Sequence, residues 1–160
     1  MLLKKTTILL LFLTITINSF SQSISLLGSY PLIPKADYKG VVDVQLQMNI
    51  ICAKNYNWCF GINLDYINLK KQNTITSNMY QATFNLEYQL EPRSPVYNVI
   101  VNTTAGYYYE TKQDGIALGT GVMIDRAIFT HTQLFFFLKG NILVNNFCYF
   151  NMGIGIRRSF

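Results

Sequence analysis

The residues of this chain that could do chemistry are few: one histidine, three cysteines, eight carboxylates and two Gly-x-Gly pairs. His131, between Thr130 and Thr132, could act as the base of a Ser–His–carboxylate triad, a constellation recognised by geometry. It falls in a short turn and no serine lies within its own hairpin, so a surface-turn residue accounts for it better. Metal binding has less support still, because one histidine and the scattered Cys52, Cys59 and Cys148 lack ligand spacing. Asp43, Asp65, Glu87 and Asp125 could pair for acid–base work. They share a sequence parity with Lys139 and Arg157, however, and a salt-bridged polar network is the simpler account, since buried charges require partners. Gly119 and Gly121, like Gly153 and Gly155, would cradle a phosphate only between a strand and a helix N-terminus. They lie inside strand-like segments, where close packing explains them. No catalytic, cofactor-binding or metal-binding residue is assigned, and no enzyme is expected.

The elements that must position these residues are strands. Period-two alternation, which marks a strand with two unlike faces, recurs along the chain. Segment 41–52 sets Val42, Val44, Leu46, Met48 and Ile50 against Asp43, Gln45, Gln47 and Asn49. Segment 58–70 sets Phe60, Ile62, Leu64 and Tyr66 against Gly61, Asn63 and Asp65. The same pattern runs through 78–90, 97–110, 116–126, 132–144 and 147–160, with a weaker eighth strand near 23–30. No segment keeps the i, i+3, i+4 spacing of a helix. Connections carry turn residues, among them Lys54-Asn55-Tyr56-Asn57, Glu91-Pro92-Arg93-Ser94-Pro95 and Lys112-Gln113-Asp114-Gly115. Cys52 and Cys59 flank one such turn, which invites a disulfide. In a regular hairpin their parities point to opposite faces. A bulge could restore the pairing, and three unpaired small apolar residues is the favoured reading.

The N-terminus is expected to be a signal peptide, 1–21: a basic start to Lys5, an apolar stretch from Thr6 to Ile17, and Ser19 and Ser21 ahead of cleavage. The remaining 22–160 suits one domain. Loss of Lys4 and Lys5 lowers the formal charge of +5 by two, and no basic run exists, so direct nucleic-acid binding is not expected. Half of the residues are apolar and only 13% are charged, yet no second long apolar segment follows. Apolar surface is therefore dispersed along alternating strands.

Alternation alone fits two solvents. A soluble periplasmic sandwich or barrel would turn the apolar parity inward; a transmembrane barrel turns it to lipid and lines its lumen with the polar parity. Three features favour the membrane. The polar parity is rich in Gln, Asn, Thr and Gly but poor in charge. Aromatics cluster near strand ends, at Tyr56, Trp58, Tyr66, Tyr80, Tyr88, 107–109, Phe147 and Tyr149, as interfacial girdles do. The last strand alternates Phe150, Met152, Ile154 and Ile156 with Asn151, Gly153, Gly155 and Arg157, and closes on Phe160. Such a strand looks like the closing strand of an outer-membrane barrel, where it also acts as the assembly signal; Ile154, Ile156 and Phe160 are the residues expected to carry it. The expected fold is an all-β, eight-stranded antiparallel up-and-down transmembrane barrel. Its lumen would be filled by side chains around Asp43, Asp65, Glu87, Asp125, Lys139 and Arg157, too narrow for general diffusion. With an even strand number both termini face the periplasm, and 31–40, 71–77, 111–115 and 145–146 face outward.

From about Tyr38 to Phe160 the chain also resembles the TraO family of conjugative-transposon transfer proteins. The pieces that carry the resemblance are Ala105-Gly106-Tyr107-Tyr108-Tyr109-Glu110, Gly119-Thr120-Gly121, Phe137-Leu138-Lys139-Gly140-Asn141 and 151–160. It implies a non-enzymatic structural or assembly component of a conjugative apparatus, exported to the outer membrane of a Gram-negative cell. Its partners would be lipid, the barrel assembly machinery and proteins of the transfer machine, with no cofactor. The alternative is a stand-alone small barrel of the OmpA/OmpX type for envelope stability or adhesion. A lipid-modifying barrel enzyme built on His131 is a more distant one.

Overall fold

The computed structural model describes residues 23–34, 38–53, 57–71, 76–90, 97–110, 113–144 and 146–160. The expected signal peptide, Tyr56 and the connections 54–56 and 91–96 lie outside the described residues. Eight strands follow one another: β1 (Ser23–Leu32), β2 (Tyr38–Ala53), β3 (Trp58–Lys71), β4 (Thr76–Leu90), β5 (Asn98–Glu110), β6 (Gln113–Phe129), β7 (Thr132–Leu143) and β8 (Cys148–Ser159). Each pairs antiparallel with the next, and β8 returns to β1 in continuous register from Ser23↔Ser159 to Leu32↔Phe150. The sheet is a closed barrel without an edge, so every strand can satisfy its backbone within the sheet.

The strands are longer than the alternation alone suggests. β1 continues to Leu32 and β6 extends from Gln113 to Phe129, shortening the turns on either side. They run 10 to 17 residues, more than the ~9–11 a tilted strand needs to cross a bilayer. The connections after β1, β3, β5 and β7 lie at one end, here called the loop end. The start of β1, the end of β8 and the turns after β2, β4 and β6 lie at the other, the terminus end.

The two parities are turned inside out relative to a water-soluble protein. Gln45, Gln47, Asn49, Asn63, Asn85 and Asn102 are buried, whereas Leu26, Leu64, Phe84, Phe136, Leu138, Met152 and Ile154 are exposed on the outer wall. A soluble sandwich or barrel would do the reverse, since contiguous exposed apolar surface on this scale is not tolerated in water. The outer wall carries aromatics toward both ends: Tyr66 against Tyr80 at the loop end, ring centroids 5.4 Å apart, and Trp58 against Tyr88 at the terminus end, 4.6 Å apart. Three residues counted with these girdles belong elsewhere. Tyr108, Phe147 and Tyr149 are buried inside the lumen, because their parity is the inward one.

The cysteines require a second correction. Register shifts between Asn49 and Ile51, so Ile50 is bulged. The shift inverts the phase of the last residues of β2. Cys52 then stands directly opposite Cys59, with Cα atoms 4.1 Å apart, and the two form a disulfide. The favoured reading of three unpaired thiols fails because a bulge cannot be read from alternation. Cys148 alone is free, and it is exposed at the start of β8.

Candidate functional site in the barrel lumen

Inward residues fill the barrel in layers. At the loop end Ile67, Leu69, Met79, Tyr108, Leu143 and Tyr149 belong to an apolar cluster. Nearer the terminus end Leu27, Ile100, Met123, Phe135 and Phe137 form a second. Both clusters stand on the parity expected to be polar. The signal was present in the sequence, since continuing the parity of Asp65 reaches Ile67 and Leu69, and that of Lys139 reaches Phe137 and Phe135.

Room for the large side chains of β7 comes from glycines on its two neighbours. Phe135 and Phe137 face Gly155 and Gly153 of β8, while Lys139 and Asn141 face Gly121 and Gly119 of β6. A Cβ on Gly155 would come within 2.5 Å of the Phe135 ring and 2.8 Å of the Leu26 carbonyl oxygen. These glycines therefore serve close packing.

All six charged residues assigned to the lumen are more than nine-tenths buried. Arg157 Nη2 donates to Glu87 Oε1 at 2.6 Å, and Arg157 Nε to Ser25 Oγ at 2.9 Å. Its guanidinium also lies 5.5 Å from the centroid of the Phe135 ring. Glu87 accepts further from Gln47 Nε2 and from Asn49 Nδ2, the latter at 2.8 Å. The network runs on through Asn85, which donates to Asn49 at 3.0 Å and accepts from Asn102. Asp125 accepts from Asn98 Nδ2 at 2.8 Å nearer the terminus end. Deeper in, Asp43 Oδ2 accepts from Ser29 Oγ at 3.0 Å and from Asn151 Nδ2. Lys139 Nζ stands 4.0 Å from Asp65 Oδ2. The six thus divide into a Glu87–Arg157 pair, an Asp43–Asp65–Lys139 group and Asp125. Glu110, not singled out from sequence, forms another node at the loop end, accepting from Ser77 Oγ at 2.6 Å and Asn146 Nδ2 at 3.4 Å.

A cavity of about 480 Å³ opens at the terminus end, lined in part by Asn49, Asp125, Gln133, Arg157 and the disulfide. Beyond it the interior narrows to a space of about 10 Å³ beside Gln45, Gln47, Phe137 and Lys139, the size of one water. His131 is exposed in the β6–β7 turn, where its carbonyl oxygen accepts from the Ser159 backbone N–H at 2.9 Å. It is thus on the outside of the barrel end while the carboxylates face the lumen. Ile154, Ile156 and Phe160 are exposed on the outer wall.

This inverted, side-chain-filled barrel has the architecture of the small transmembrane barrels. It is similar to Neisserial surface protein A, at 16% identity and a TM-score of 0.58, over 88% of this chain and 96% of that one. It is also similar to the N-terminal β-barrel domain of Pseudomonas aeruginosa OprF, at 11% identity and a TM-score of 0.54, over 88% and 99%. A de novo designed transmembrane β-barrel matches at 14% identity and a TM-score of 0.50, over 88% and 97%. The fold is therefore the eight-stranded, all-antiparallel transmembrane barrel. No protein-family model and no curated protein matches the sequence, so the resemblance to TraO proteins gains no support from these comparisons.

Proposed function

We propose that the chain is a stand-alone small barrel of the Gram-negative outer membrane, non-enzymatic, with a structural role in the envelope. The observation that carries this reading is the closed interior: apolar residues face lipid, and beyond the cavity at the terminus end the lumen is filled by side chains. Such a barrel passes no general solute. The loop-end connections are short, from Leu32 to Tyr38 at the longest. Adhesion and ligand capture normally reside in long loops, which favours envelope stability over adhesion. Barrel assembly machinery would read Ile154, Ile156 and Phe160 from the outer wall of β8.

Fractionation and a deletion strain test this. The protein should leave the membrane only with detergent, and the folded form should migrate faster than the boiled form on detergent gels. The deletion strain should become several-fold more sensitive to detergent or to large antibiotics. Extraction in salt alone would end the membrane reading, and unchanged sensitivity would end the structural role. A role in a conjugative apparatus rests on the residue resemblance over 105–110, 119–121, 137–141 and 151–160. Transfer frequency in the same deletion strain decides it, a fall of tenfold or more, as an order of magnitude, being the response expected of an essential envelope component.

A further inference from the structure

We propose that the centre of the lumen, between Asp43 and Asp65, binds one small monovalent cation of the sodium class. Four side chains close a circuit there. Asn151 donates to Asp43 Oδ2, and Asn151 stands opposite Lys139 in the β7–β8 register. Lys139 lies 4.0 Å from Asp65 Oδ2. Asp65 faces Gln45 across β2–β3, which makes Asp43 its diagonal neighbour on the inner wall.

The charges of this circuit do not cancel. Two carboxylates face one ammonium, all three more than nine-tenths buried. The neighbouring Glu87–Arg157 pair is already neutral and has no charge to spare. An uncompensated buried charge is costly, so a cation or a proton must supply one positive unit.

Unpartnered ligand atoms supply the second, independent observation. Asp43 Oδ1, Asp65 Oδ1, Asn63 Oδ1, Thr83 Oγ1 and Asn151 Oδ1 are buried without a hydrogen-bond partner. Asn63, fully buried, has neither side-chain polar atom bonded. It sits two residues from Asp65 on the same face of β3, opposite Thr83 of β4. Among the described residues the other unpartnered buried side-chain atoms are the amide nitrogens of Asn63 and Asn141, so oxygens, the ligands of hard cations, outnumber them five to two. Two carboxylates beside a lysine carry too little charge for a divalent ion, and no three His, Cys, Asp or Glu groups converge to hold a metal among the described residues. Ile67 bounds the site toward the loop end and Phe137 toward the terminus end, each two residues along from Asp65 and Lys139. A cation taken up during folding would therefore exchange slowly.

The test uses the full chain folded in detergent micelles, melted in sodium chloride or in N-methylglucamine chloride at matched ionic strength across a pH series. Loss of the compact gel form should occur about 4 °C or more higher in sodium, saturating with sodium concentration. Asp65→Asn should remove the difference. Should that variant not fold, Thr83→Val keeps the charges while deleting one ligand, and should reduce it. Coincident midpoints in the two salts overturn the proposal. So does a midpoint that follows pH identically in both, since a shared proton would then supply the missing charge.

Discussion

Arg157 of the last strand reaches across the lumen to Glu87 of the fourth, Nη2 to Oε1 2.6 Å, with 8% and 3% of the two side chains exposed. The contact ties β8 to β4 through the interior, a link the sheet itself does not provide. Glu87→Leu leaves a guanidinium buried without its counter-ion, which costs about 3–5 kcal/mol. Urea unfolding from lipid vesicles should show that loss. The double variant Glu87→Leu/Arg157→Met should recover a large part of it, because the penalty arises from the unpaired charge. Equal stability of Glu87→Leu and the parent would show that the pair contributes nothing.

Packing between β7 and β8 depends on the absence of a side chain at Gly155. A Cβ there would meet the Phe135 ring and the Leu26 carbonyl. Gly155→Val should destabilise the barrel by about 1–3 kcal/mol through overpacking. Phe135→Leu in the same chain should restore part of the loss, measured again by urea unfolding. No rescue would place the cost in the Leu26 backbone contact alone.

The Cys52–Cys59 disulfide closes a short loop at the terminus end, with a sequence separation of 7. Chain-entropy reasoning gives a contribution of about 2.5 kcal/mol for a loop of this size. Alkylation of the denatured, unreduced protein should add one group, at Cys148, and three after reduction. Cys52→Ser/Cys59→Ser should fold into the same heat-modifiable form with a lower urea midpoint. Two or more alkylated sites without reduction would contradict the bridge.

The strand order and the division of each strand into two unlike faces were legible because period-two alternation is a local property, set by each residue and its neighbours. Val42, Val44 and Leu46 face out opposite Asp43, Gln45 and Gln47 as their spacing requires. Cys52 was not legible, since one bulged residue at Ile50 reverses the phase beyond it and leaves no mark on the alternation. The apolar layers were missed for another reason. A lumen of this width must be filled, and Ile67, Met79 and Phe135 fill it as well as amides do. The division of the charges into a neutral pair and a group with one excess carboxylate depends on which strands face each other across the lumen, and sequence parity holds no record of that.

Phe160 and the outward Ile154 and Ile156 stand at the end of the closing strand, each more than half exposed. Removing Phe160 should therefore lower the amount of folded barrel in cells several-fold while leaving the urea midpoint of refolded protein within about 0.5 kcal/mol of the parent. A matched loss in both measurements would make Phe160 a stability residue and remove it from the assembly signal.

Leu138 gives the sharpest test of what surrounds the barrel. It is 55% exposed in the middle of β7, flanked across its neighbours by the equally outward Val122 and Met152. In water, an exposed Leu→Arg change falls within about ±0.5 kcal/mol. On the lipid face near the bilayer midplane the same change costs about 2–4 kcal/mol, falling to about 0–1 near the interface. Leu138→Arg should therefore be strongly destabilising in vesicles, while Phe129→Arg, at the terminus end of β6, should be nearly silent. The outward positions of β7 taken one by one should trace a profile that peaks at Leu138 and falls toward both ends. A flat profile would mean that water, not lipid, covers this wall, and would return the inside-out distribution of residues to being unexplained.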